Sequence, residues 1–258
     1  MFLPVFLDWK RSALEYAAIS DGFSWWVPRT PDRGQRLDDD ARTAHAQGKL
    51  WMAPVAPQDF RPKSGFFFEA GGSELFRRMW EGAIRGGAEW VHIITWNDYS
   101  EATEIAPSSG IGYAFYDLSA YYVAWFKSGR PPTVPYDILY YFHRTQPAAP
   151  IRAGSRQAKI IAPLGTEAPR DEVEAVALLT APGEIEITVG GRVRRQPAAA
   201  GMTSFRVPLA AGRPRFALRR GGRVVLSAES DWTISSEYAY QDLLYRAGCV
   251  DGRTGATP

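Results

Sequence analysis

Over residues 4 to 128, short apolar runs alternate with stretches of helical periodicity. That alternation confines the chain to strand–helix units built on a parallel sheet. Pro4 to Trp9 reads as a first strand and Ser12 to Ile19 as a short helix. The Asp21-Gly22 turn then leads into Phe23 to Pro28, a second strand that carries the pair Trp25 and Trp26. Asp38 to Gln47 reads as a helix opened by acidic side chains, which suit a helix N-terminus. Leu50 to Val55 is a third strand, and Pro57 to Gly72 reads as a long loop. From Ser73 to Ile84 the apolar residues fall at helical intervals, with Ser73 as the expected cap and Gly86-Gly87 as the stop. Trp90 to Trp96 is a fourth strand, and Leu118 to Lys127 an aromatic-rich helix closed by Ser128-Gly129 and Pro131-Pro132.

Eight such units close a barrel of about 250 residues. The stretch before Pro150 holds four, so the expected fold class is α/β, a C-terminal half of a TIM-type (β/α)8 barrel over residues 1–148. A half-barrel leaves parallel edges and one sheet face uncovered. The opening residues already read as a strand, without a basic leader or small-residue cleavage site, so the chain is expected to begin in mid-fold and to show no signal peptide. After Pro150, closely spaced strands separated by Pro182-Gly183, Gly190-Gly191, Ala211-Gly212 and Gly221-Gly222 predict an antiparallel β-sandwich over residues 149–258. Gln146 to Pro150 is the expected linker.

Composition narrows the function classes. The net charge is +2, and the arginines that gather after Pro150 alternate with apolar residues, as on solvated strand faces. Nucleic acid is not an expected partner. No run reaches the length of a membrane span. The lone Cys249 cannot form an internal disulfide, and His45, His92 and His143 are too scattered for a metal-ligand pair, so neither a metal nor another cofactor is expected. Oligomeric state is not legible at this level.

The chemistry concentrates between Glu89 and Pro107, EWVHIITWNDYSEATEIAP, where the fourth strand runs into a loop carrying Asp98 and Glu101. Residues just past the C-terminal end of a parallel strand are where barrels place catalytic groups. Taken alone, a D-x-x-E spacing is more often a solvated loop. Its position here, among Trp96, Asn97 and Tyr99, favours an acid and base pair with a sugar platform. Trp25 and Trp26 point to opposite faces, so at most one of them can join that platform. Gln58 could reach the same mouth, whereas Asp59 reads as loop solvation. Glu104 adds a third carboxylate that either perturbs its neighbours or faces water. His92 lies too far back along the strand for catalysis and reads as core with a satisfied ring nitrogen.

ITWNDYSEATEIAP resembles the ITWNDYGES signature of glycoside hydrolase family 71, the endo-acting α-1,3-glucanases or mutanases. DGFSWW, KLWMAPVAP, DEVEAVALLTAPGEIEITVGG and TSFRVPL are similar to successive parts of the same family, in the same order. The resemblance implies a (β/α)8 barrel with a C-terminal β-sandwich, a polysaccharide or oligosaccharide substrate outside the cell or in its envelope, and cleavage of α-1,3-glucan with inversion. It implies Asp98 and Glu101 as the catalytic pair, read here with Glu101 as acid and Asp98 as base. Ser100 stands where the family has glycine, and Ala102 where it has serine. Two other readings stand beside this one: an endo-α-mannosidase-like hydrolase, and a truncated, inactive remnant or polysaccharide-binding protein. Asp98-Tyr99 in place of a Glu-Trp pair favours the glucanase.

Overall fold

The computed structural model describes residues 1–26, 29–149 and 157–253. The chain opens with β1 (Val5–Phe6), α1 (Trp9–Tyr16) and β2 (Gly22–Trp25). Two helices follow, α2 (Pro31–Gln35) and α3 (Leu37–His45), before β3 (Leu50–Val55). The short α2 was not expected; Pro31 opens it at a position where a missing N–H costs nothing. The expected long loop contains a hairpin, β4 (Asp59–Arg61) and β5 (Phe66–Phe68). Then come α4 (Glu74–Arg85), β6 (Trp90–Ile93) and α5 (Ala114–Ser128). The first of these helices ends where Gly87 takes φ of 65°, in the left-handed region that glycine enters without a Cβ clash.

Strands β1, β2, β3 and β6 pair in that order, all parallel. Alternation along each strand divides the sheet into two faces. Phe6, Phe23, Trp51 and Ala53 pack under α1 and α3, with Trp9 and Trp51 rings 4.8 Å apart. The other face carries Val5, Ser24, Met52, Trp90 and His92. Val5 and Trp90 are exposed there, and no strand among the described residues pairs with the outer side of β1 or β6.

The remaining strands are β7 (Ile138–His143), β8 (Ala162–Pro163), β9 (Glu172–Leu179), β10 (Gly183–Val189), β11 (Arg192–Ala198), β12 (Gly201–Pro208), β13 (Arg215–Arg220), β14 (Arg223–Glu229) and β15 (Arg246–Asp251). They form two antiparallel four-stranded sheets, ordered β12-β9-β7-β15 and β11-β10-β13-β14, while β8 joins the β4–β5 hairpin. Leu139, Tyr141, Val173 and Ala175 of the first sheet meet Ile185, Ile187, Phe216 and Leu218 of the second in one apolar core. Tyr141 and Phe216 stack there at 4.7 Å.

The antiparallel layer begins at Ile138, ahead of the division expected at 148/149. Strand β7 is buried on both faces: Leu139 and Tyr141 enter the core between the sheets, while Tyr140 and Phe142 pack with Phe76, Trp80 and Phe115 of α4 and α5. A doubly buried strand loses its polar alternation, which is why ILYYFH carries no mark of the sheet it joins.

Two buried polar knots bind the layers. Glu174 on β9 accepts from the Ser73 N–H at 2.7 Å, the Ser73 hydroxyl at 2.9 Å, Arg77 at 2.8 Å and Arg206 at 2.6 Å. The expected Ser73 cap is therefore supplied from another strand: the Ser73 side chain gives its proton to Glu174 and does not cap α4. Nearby, Glu69 accepts from Arg144 at 3.0 Å and from the Tyr245 hydroxyl at 2.7 Å, all three side chains being buried. Among the described residues, no helix is long and apolar enough to cross a membrane.

Candidate active site

Strand β6 ends at Ile93, the Ile94–Thr95 peptide is cis, and the chain then folds into a loop closed on itself. Thr95 N–H donates to the Thr103 carbonyl at 2.8 Å, Thr103 N–H to the Asp98 carbonyl at 3.2 Å, and Ile105 N–H back to Thr95 at 3.1 Å. Inside it the Asp98 side chain builds a tight turn. Its Oδ1 accepts from the Ser100 N–H at 3.2 Å, the Ser100 hydroxyl at 2.8 Å and the Glu101 N–H at 3.2 Å. A glycine at 100 would leave out the hydroxyl donor, so the departure from the family signature adds a grip on Asp98.

Glu101 is held from the opposite side. Its Oε1 takes a 2.6 Å hydrogen bond from Arg61, and its carbonyl accepts from the Phe60 N–H at 2.8 Å. Arg61 also forks onto Asp59, with Nε to Oδ1 at 2.8 Å and Nη2 to Oδ2 at 2.9 Å. Arg29 reaches the same Asp59 at 2.6 Å. The result is an alternating array, Arg29–Asp59–Arg61–Glu101, that ties the β4 hairpin to the loop after β6. Burial lowers the Arg29 pKa, with Asp59 opposing the shift, and the hydrogen bonds to Asp59 raise that of Arg61.

Asp59 thus corrects its expected role: it is buried, and both oxygens are occupied by guanidinium groups. The two arginines were missed as site residues. The D-x-R spacing over 59 to 61 was the one sequence signal, and it pointed to Arg61 alone, because residues two apart on a strand share a face.

Trp96, Asn97 and Tyr99 lie exposed around the carboxylates, Trp96 at 55% and Tyr99 at 57% of their full surface. The Trp96 ring meets Tyr116 of α5 at 6.2 Å, edge to face. Trp25, the last residue of β2, donates its indole N–H to the Leu7 carbonyl at 3.1 Å under the Arg33 guanidinium, while Trp26, just past the strand, is exposed. Gln58 is a correction. It is buried, with its amide N–H on the Tyr245 carbonyl at 3.2 Å and its carbonyl accepting the Tyr245 N–H at 2.9 Å, so neither end is presented to a ligand.

Glu104 does not face water. It is buried beside a 380 Å³ hollow lined by Tyr99, Ser108 and Arg246, and accepts the Ser108 hydroxyl at 3.1 Å. Burial pushes its carboxyl above the ordinary range, and the charge of Asp98 adds to the shift. His92 sits between Ser24 Oγ at 3.1 Å and the Trp25 carbonyl at 3.2 Å on the open sheet face, its pKa lowered by burial.

The family model for glycosyl hydrolase family 71 matches residues 1–245. The chain belongs to glycosyl hydrolase family 71. A Penicillium rubens mutanase is 25% identical to this family 71 chain, over 98% of it and 62% of the mutanase. A glucan endo-1,3-alpha-glucosidase of Schizosaccharomyces pombe is also 25% identical, over 93% of the chain and 60% of the relative. The chain therefore spans about three-fifths of the length of these relatives. A solved GH99 endo-alpha-mannosidase from Bacteroides thetaiotaomicron aligns at 20% identity and a TM-score of 0.44, covering 51% of this chain and 46% of that one.

Proposed function

We propose that this family 71 chain hydrolyses α-1,3-glucan with inversion, using Asp98 and Glu101. The observation that carries the reading is the turn after β6, which holds both carboxylates in one loop between exposed Trp96 and Tyr99. The mutanase and endo-1,3-glucanase names of the relatives support the substrate class, and the ascus-wall endo-1,3-alpha-glucanase of Schizosaccharomyces pombe, 28% identical over 42% of the chain, supports a wall polysaccharide outside the cell.

In this scheme Glu101 gives a proton to the glycosidic oxygen as the bond to C1 breaks. Its Oε2 is the delivering atom, since Arg61 holds Oε1. Asp98 takes a proton from the water that attacks C1 from the opposite side, which inverts the centre and needs the two carboxyl groups roughly 6.5 to 9.5 Å apart at reaction. Trp96, Asn97, Tyr99 and Trp26 supply the sugar platform. In the same proposal, the four-stranded parallel sheet is the C-terminal half of a (β/α)8 barrel, and the two antiparallel sheets are its β-sandwich.

Reducing-end release from α-1,3-glucan tests the pair. Asp98→Asn and Glu101→Gln should each lower the rate by about three powers of ten, the range expected when a general acid or base is removed. Variants as active as the wild type would remove both residues from the chemistry. An α-anomeric product seen by NMR in the first turnovers would replace inversion with retention.

A further inference from the structure

A second concave site lies away from the catalytic turn, between α5 and the segment 132–136. The cavity holds about 440 Å³, within the range of ligand pockets. Its wall is one face of α5: Tyr113, Asp117 and Tyr121 recur at helical spacing, and the small side chains of Ala120 and Ala124 leave the space open. Opposite stand Tyr136 and Arg253, the guanidinium lying 4.4 Å from the tyrosine ring centre and ion-paired to Asp251 at 2.8 Å. Such a wall combines apolar ring faces with charged hydrogen-bonding groups. Sugar rings, with C–H faces and hydroxyl rims, are the ligand class that matches both.

The cavity is not isolated from the catalytic loop. Tyr113 on its lip lies 6.5 Å from Tyr116, and Tyr116 lies 6.2 Å from Trp96. All three rings are about half exposed, Tyr113 at 50% and Tyr116 at 47%. Edge-to-face contacts hold these rings in one row while leaving about half of each surface open, which is a platform on which sugar rings can stack.

We propose that this pocket is a second glucan-binding site, and that Trp96, Tyr116 and Tyr113 form a track along which one α-1,3-glucan chain runs between it and the catalytic turn. The proposal rests on the α-1,3-glucanase reading for its ligand, so the experiment separates the two. Sedimentation with insoluble α-1,3-glucan particles is measured for the full chain, Tyr113→Ala and Asp117→Asn, and reducing-end release is measured separately for the wild type and Glu101→Gln. Each pocket variant should weaken particle binding about fivefold or more, the loss of one stacking ring or one sugar hydrogen bond. Tyr113 is exposed, so its truncation leaves the melting temperature in place and reports on binding alone. Wild-type retention by both pocket variants overturns the site, as does a wild type that does not sediment. Tyr113-dependent sedimentation without release of ends keeps the site and retires the hydrolase reading; release that Glu101→Gln abolishes, with retention indifferent to both pocket substitutions, does the reverse.

Discussion

Asp59 carries more of the Asp98–Glu101 turn than its loop position suggests. Its carboxylate is the one anion between Arg29 and Arg61 in the array that reaches Glu101, and it lies out of water. Asp59→Asn keeps the shape and removes the charge, leaving two guanidinium groups facing each other with Glu101 alone to share. Breaking a buried ion pair from one side costs about 3 kcal/mol. Urea unfolding should record a loss of that order with an unchanged m-value, and a variant as stable as the wild type would show that solvent already satisfies both arginines. At this scale the sequence was half legible. Asp98, Glu101, Trp96 and Tyr99 stand together in one uninterrupted motif, whereas Arg29, Asp59 and Arg61 reach the turn through tertiary contacts, of which the D-x-R spacing was the one local sign. Gln58 misled for the same reason, since its partner Tyr245 is remote in sequence.

Among the elements, those with a clean period were readable from sequence, and those buried on two sides were not. Helix α4 falls within a residue of its expected limits because it buries one face and ends at Gly86-Gly87. Strand β6 stops short of the expected Trp96, since the apolar run continues into the cis turn, where pairing has ended. Strands β7 and β15 were missed: one lacks alternation, and the other, RAGCVD, contains a glycine that lowers strand propensity. That glycine has a packing reason. Gly248 lies opposite Tyr141, and a Cβ added there would sit 2.3 Å from the Tyr141 hydroxyl oxygen, with the ring already stacked on Phe216. Gly248→Ala forces the ring out of that stack and should destabilise the fold by about 2 kcal/mol, within the usual range for overpacking. An unchanged denaturation midpoint would mean that the sheets separate more easily than their core indicates.

On the scale of the whole molecule, acid should loosen the junction between the two antiparallel sheets. His143 is buried, with Nδ1 donating to the Arg144 carbonyl at 2.9 Å and Nε2 accepting from Ser230 at 2.7 Å, and burial lowers its pKa from 6.5 to about 4. Between those values the unfolded chain binds a proton that the folded one refuses, so stability falls as pH drops through 6.5 toward 4. The loss from pH 7 to pH 5 comes to about 2 kcal/mol. His143→Gln should flatten that part of the curve in urea titrations; an equally steep variant would assign the slope elsewhere. Asp137, held by Arg220 to about 2, adds stability that is present above 3.8 and lost only as pH falls further, toward 2. The placement of β7 has a consequence of another kind. Because that strand gives one face to the helices and the other to the paired sheets, the sheets are not a portable module. A shuffling event that copied residues 149–258 into another gene would carry β9 and β15 without the strand that zips them together, and would inherit a slit where this protein has its backbone seam.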